Sequence, residues 1–158
     1  ERLLSAFYLN ELLLKLTAQH DPHPEIYDLY QRALGELAVR TDAESVLRQF
    51  ERSLVELLGF GLELHMEAAD GRAVQPNGCY HFRPGFGVAV AERDAPGAVS
   101  GRVLLLLAGG EAIEGAADLR AARMVMRAAI DHCLEGRELK TRTVARSVAR
   151  VVNRLEHD

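Results

Sequence analysis

The sequence predicts a mainly α protein, a helical bundle interrupted by a small irregular strand-and-turn insert. Three observations predict it. Apolar residues recur at spacings of three and four through the first 58 residues and again through the last 40. Residues 62–98 instead carry most of the prolines, many glycines and short alternating runs. Short breaks such as Asp21-Pro22-His23-Pro24 and Gly136 separate the helical stretches, as in bundles with brief connections.

The elements follow in order. Arg2 to Leu16 reads as a helix with Leu4, Tyr8, Leu12 and Leu16 on one side and Leu9 and Leu13 beside them. A second helix is expected from Glu25 to Ala38, with Ile26, Leu29, Tyr30, Ala33, Leu34 and Leu37 inward. Pro24 suits its first turn, where a missing amide hydrogen costs little. The third runs from Ala43 to Leu58, with Leu47, Phe50, Leu54, Leu57 and Leu58 on one face. Thr41 or Asp42 can cap its start, and Gly59 can close it in the left-handed conformation.

In the insert, Leu62 to Met66 alternates with period two, and Cys79–Phe82 and Phe86–Val90 suggest two strands around Pro84-Gly85. Leu64, Tyr80, Phe82, Phe86 and Val88 are its expected core. Ser100 reads as the cap of a short helix, Gly101 to Leu107; a strand over Val103 to Leu107 is the alternative. Two more helices follow, Ala117 to Leu134 and Thr141 to Leu155. The chain thus reads as a single domain, with residues 1–61 and 99–158 forming the bundle and 62–98 the insert.

At 158 residues the chain can bury a sizeable core. It lacks tryptophan and is 6% aromatic, which argues against a nucleic-acid site built chiefly from stacked rings. No apolar run is long enough to span a membrane. Cys79 and Cys133 lie far apart, which speaks against a disulfide framework and fits a reducing cytoplasm. No G-x-S-x-G, H-E-x-x-H or phosphate-loop motif is present, and Cys133 between His132 and Leu134 reads as an inert thiol. A non-enzymatic binding protein without a cofactor is expected.

Charge is unevenly placed. Residues 1–118 hold 10 Lys+Arg against 18 Asp+Glu, a balance of −8; residues 119–158 hold 9 against 5, a balance of +4. In the last helix Arg142, Arg146, Arg150 and Arg154 recur every four residues, opposite Val144, Val148, Val151 and Leu155, and Arg137 and Lys140 extend the row. The apolar side is expected to dock on the bundle while the arginines face out. Such a row repels itself unless an anion answers it, and a phosphate backbone is the natural one.

Four segments, in order, resemble the RecO family of bacterial recombination mediators. Tyr8-Leu9-Asn10-Glu11-Leu12-Leu13 resembles the Y-x-N-E-L-L of its first helix. Leu47 to Gly61 resembles L-R-x-F-E-x-x-L-x-x-L-G-F-G of its central helix. Leu139-Lys140-Thr141-Arg142, after Gly136, resembles L-K-S-R, and Leu119 to Arg123 looks like the start of another family helix. The resemblance covers about Phe7 to Val152. Nothing resembles the family's amino-terminal OB-fold, so the chain reads as the carboxy-terminal part of a longer protein.

The resemblance implies a cytoplasmic, nucleoid-associated DNA repair and recombination mediator. It would bind single- and double-stranded DNA, the mediator RecR and the acidic, Phe-ending tail of single-strand-binding protein (SSB), promoting RecA loading and strand annealing. It assigns Arg48, with Arg52 one turn on, to that tail; an intrahelical pair of Arg48 with Glu44 or Glu51 is the alternative. Lys140 and Arg142 match the family motif, and with Arg137 and Arg146 they form the expected phosphate contacts. Some members hold structural zinc in the insert through two C-x-x-C pairs, but here Glu67 and Asp70 fall near the first pair and Cys79 stands alone. No zinc and no membrane partner are expected. The competing expectation is a helical interaction or dimerisation module without a nucleic-acid role.

Overall fold

The computed structural model describes residues 2–18 and 22–155, with side chains as far as Arg150. Asp21 of the expected break, and the side chains of Val151, Arg154 and Leu155, lie outside the described residues. Six helices and a small sheet appear in the order α1 (Arg2–Leu16), α2 (Pro24–Val39), α3 (Ala43–Leu57), β1 (Cys79–Arg83), β2 (Gly87–Val90), β3 (Val99–Ser100), α4 (Gly101–Gly109), α5 (Ala116–Leu134) and α6 (Lys140–Leu155). The chain is mainly α, as the periodicity predicts.

The local signals act as expected at several ends. Asp42 caps α3, its carboxylate accepting from the Ser45 amide at 3.1 Å, and Gly59 leaves the helix with φ 81°. Ser100 caps α4, so the expected helix, and not the alternative strand, stands there. Its preceding residue pairs in the sheet, giving β3, which the sequence pattern does not announce. Leu62 to Met66 forms no strand. Its alternation survives only as a bridge of Met66 with Ala73, next to a bridge of Glu67 with Val88.

β1 lies between β2 and β3, antiparallel to both. The turn from β1 to β2 is Arg83-Pro84-Gly85-Phe86, closed by the Phe86 amide on the Arg83 carbonyl at 3.0 Å. Proline at the second position and Gly85 at φ 78° in the third are what a type II turn demands. At the other end of the insert, a Cβ at Gly101 would sit 2.0 Å from the Gln75 carbonyl oxygen. Glycine there lets the insert close against α4.

One core runs through bundle and insert together. Leu9, Leu12, Phe50, Leu54, Leu104, Met126, Ile130 and Leu134 are buried with Leu64, Tyr80 and Val88 from the insert. Two expectations fail. Phe86 is not insert core: it is 81% exposed, because the type II turn throws it outward. Leu57 is also exposed, while Val46 and Val55 are buried, so the buried face of α3 is rotated from the expected stripe.

The insert is held by contacts of its own side chains. The Tyr80 hydroxyl accepts from the Gln75 amide at 2.9 Å, and Arg72 bridges Glu67 and Asp70, at 3.6 and 2.8 Å. Among the described residues no group of three His, Cys, Asp or Glu is gathered as a metal site. The side chains where zinc ligands would fall are already engaged with Arg72 and do not fit zinc, which favours thiolate and imidazole.

α6 lies antiparallel along α1. Glu11 of α1 accepts from the Lys140 amide (2.7 Å), the Thr141 amide (2.8 Å) and the Thr141 hydroxyl (2.6 Å). A carboxylate from another helix thus supplies the cap that α6 lacks in its own sequence. Burial alone would raise the pKa of Glu11, but these hydrogen bonds outweigh it and hold it below its ordinary value. The sign follows: the contribution is complete above the unfolded value of 4.5 and is lost as pH falls through the lower folded value. Glu11→Ala is expected to cost about 1 kcal/mol in urea unfolding at pH 7. The difference from the parent should shrink below pH 4.5; a pH-independent difference would show that the carboxylate charge is not what caps α6.

Candidate functional site

Polar residues of three of the family-like segments, the first, the central and the last, meet in one place. Glu51 of α3 is fully buried on the flank of α1, and its Oε1 accepts from the Tyr8 hydroxyl and from Arg48 Nη2, both at 2.6 Å. Arg142 of α6 reaches the same cluster: its guanidinium lies beside Tyr8 and pairs with Asp131 of α5. Arg48, Glu51, Tyr8, Arg142 and Asp131 thereby join four helices through side chains. With Glu11 on Thr141, the first, central and last segments are each tied to another.

The electrostatics of this cluster are those of a desolvated pair. Burial pushes the Glu51 carboxyl above the ordinary range despite the Arg48 charge and the Tyr8 hydrogen bond. Burial and the neighbouring Glu51 both push the Tyr8 phenol upward, so it stays a donor. Burial opposes the charge on Arg142, but Asp131 and Tyr8 more than offset this and raise its pKa. Arg48 Nε, Arg48 Nη1 and Glu51 Oε2 have no hydrogen-bond partner among the described residues.

This placement revises the expected surfaces. Arg48 is 6% exposed and takes the intrahelical alternative, with Glu51 rather than Glu44. Arg52 is more accessible. Its guanidinium donates to the Ala108 carbonyl at 2.9 Å and pairs with Glu56 at 3.1 Å. It stands at one end of a groove of about 250 Å³ between α2, α3 and the end of α4, whose apolar lining includes Leu29, Ala33, Val46 and Phe50. Arg32 and Glu36 line the same groove.

The basic row divides in two. The Arg142 side chain is 17% exposed and faces the bundle, not solvent. Arg137 is exposed, yet its three nitrogens donate to the carbonyls of Leu134 (2.9 Å), Cys133 (3.3 Å) and Lys15. Arg146 and Arg150 are exposed, as is Lys140. Among the described residues the Lys140, Arg146 and Arg150 side chains have no ion-pair partner. The valines do not dock: Val144 and Val148 are half exposed. Glu11 and Asp131 fix the rotation of α6 through Thr141 and Arg142, so Ala145 on that side is half-buried and the valines are turned aside.

Sequence reasoning misses the joining role of Tyr8, Glu51 and Asp131. Glu51 carries a usable signal, since it lies between Leu47, Leu54 and Leu58 on the helical wheel, where a lone carboxylate demands a partner. Asp131 carries none. Cys133 is buried and its thiol is pushed up to about 11 by burial, as suits an inert side chain. Among the described residues no helix is long and apolar enough to cross a membrane.

Comparison with known proteins decides the family. Residues 1–143 match the family model for the recombination protein O C terminal. The chain belongs to the RecO family. It is 43% identical over 152 residues to the DNA repair protein RecO of Alkalilimnicola ehrlichii, covering 94% of this chain and 59% of the relative. For the RecO of Methylococcus capsulatus the identity is 41% over 145 residues, with 92% and 59% covered. For that of Pseudomonas aeruginosa it is 38% over 143 residues, with 90% and 60% covered. The chain thus spans about 60% of the length of these RecO relatives.

The buried pair makes a direct test. Glu51→Ala leaves the Arg48 guanidinium buried and uncompensated, and should cost about 3–5 kcal/mol in urea unfolding. Replacing both, Arg48→Met with Glu51→Leu, should recover much of that loss. A double variant as unstable as the single one would show that the pair is not the source of the cost.

Proposed function

We propose that this chain is the non-catalytic carboxy-terminal part of a cytoplasmic, nucleoid-associated recombination mediator. It would bind single- and double-stranded DNA through phosphates and help RecR, SSB and RecA exchange on the strand. The observation that carries the reading is the family match together with a row of exposed cations on α6. Of the four proposed phosphate contacts, Lys140 and Arg146 stand free to make them, while Arg137 and Arg142 would share their guanidinium groups with partners in the protein. Contacts to phosphate position a strand and carry no base preference.

Replacing Lys140 and Arg146 together with Ala should leave the fold intact, since neither supports a neighbour and Ala favours helix. Binding to two unrelated single strands should weaken similarly. Each lost contact should flatten the log–log salt slope by about 0.7. Titrations at several salt concentrations read this; an unchanged slope returns these side chains to a solvated helix face.

For the acidic SSB tail, Arg52 and the α2–α3 groove support the reading better than Arg48. A terminal Phe ring suits a floor of Leu29, Ala33, Val46 and Phe50, with its carboxylate at Arg52 and Arg32. Arg52→Ala should weaken an acidic Phe-ending peptide by roughly 1.5–3 kcal/mol, measured by fluorescence anisotropy. Arg48→Ala should instead act by destabilising the fold. Equal peptide affinity in a folded Arg52→Ala variant would place the tail elsewhere.

A second reading, a protein–protein module without a nucleic-acid role, draws support from one observation. Leu3, Phe7 and Leu14 are exposed along α1, and Val144 and Val148 are exposed on neighbouring α6. Salt-independent strand binding, or none, would favour it.

A further inference from the structure

We propose that the cleft between Phe60 and Phe86 receives an unpaired nucleobase of a single strand whose phosphates pass Arg83 on one side and Lys140 at the start of α6 on the other. This rests on the nucleic-acid reading above and adds to it a base-stacking site. The cleft holds about 220 Å³ and opens between the β1–β2 turn, the end of α3 and the end of α5. Phe60, Phe82 and Phe86 line it with Pro84, Leu62 and Val55, and His132 and Cys133 line its α5 wall. Phe60 and Phe86 are 44% and 81% exposed, an unusual state for two aromatic rings beside one opening.

The ring at position 86 is presented by construction. The Pro84-Gly85 turn fixes the backbone on which it stands, and the turn sits against α5: a Cβ at Gly85 would lie 3.5 Å from His132 Cε1. A ring held out on a rigid turn is a platform that need not be ordered when a base arrives.

The occupant follows from charge. Arg83 opens the same turn, is exposed and has no ion-pair partner among the described residues. Arg137 donates to the Cys133 carbonyl, one turn from the cleft wall, and Lys140 is three residues further. The carboxylate lining the cleft is Glu63, 3.9 Å from His65. Aromatic faces with cations on both approaches match a strand of stacked bases and phosphates. An apolar peptide would use the rings but leave Arg83 and Lys140 unanswered.

The sequence contains no tryptophan, so Phe86→Trp provides a single reporter at the cleft. Oligothymidylate should quench its fluorescence, while an abasic strand of equal length, equal in charge, should bind without quenching. Phe86→Ala should lower oligothymidylate affinity about 5-fold or more with the salt slope unchanged, and leave duplex affinity as in the parent. Strand binding that is salt-dependent but unaffected by Phe86→Ala, or equal quenching by the abasic strand, would overturn the base site and leave the phosphate reading standing. Quenching by an acidic Phe-ending peptide with none by oligothymidylate would make the occupant a protein and overturn it too. Absence of any strand binding by the parent would remove both readings.

Discussion

A single buried carboxylate organises this bundle. Glu51 is the only acceptor that Tyr8 and Arg48 share within hydrogen-bond reach among the described contacts, and it sits in the core, where an unanswered charge is costly. The helices around it are therefore constrained together: α1 must present Tyr8, and α3 must turn Arg48 inward. α6 approaches the same point through Arg142, which Asp131 holds from α5. Apolar stripes alone would permit each helix to slide or rotate against its neighbours at modest cost. A polar cluster with fixed donors and acceptors restricts that freedom and favours one packing of the helices.

The consequence for the surface is a division of labour among like residues. Five arginines and a lysine look equivalent when written as a periodic row, yet Arg142 and Arg137 are engaged by the protein itself. Arg142 closes the cluster, and Arg137 answers the carbonyls at the end of α5, where the helix dipole favours a cation. Lys140, Arg146 and Arg150 remain for solvent or a ligand. One basic segment of this chain thus does two things, fastening α6 and presenting charge.

Much of the fold was legible because its signals are local. Helical periodicity, the Asp42 and Ser100 caps, Gly59 and the Pro84-Gly85 turn each act within a few residues, and the six helices, β1 and β2 lie within a few residues of where they are expected. The failures concern orientation. Phe86 looked like core because it is a large aromatic in an alternating run, but turn geometry overrode alternation. The valines of α6 looked like its docking face because they are apolar, but Glu11 and Asp131, both distant in sequence, set the rotation. The candidate surfaces were legible only as composition. That Arg48 is internal while Arg52 borders a groove depends on how α2 and α4 flank α3, which spacing along α3 cannot reveal.

α6 is fastened through its first turns, by Glu11 on Thr141 and by Asp131 on Arg142, while beyond Ala145 its described side chains are exposed. That geometry uncouples what the helix costs the fold from what it presents to solvent. Charge can be added, removed or respaced along its outer turns without disturbing the cluster that holds it. Such a segment is free to drift in sequence and to be retuned for salt, partner or strand, while its root stays fixed.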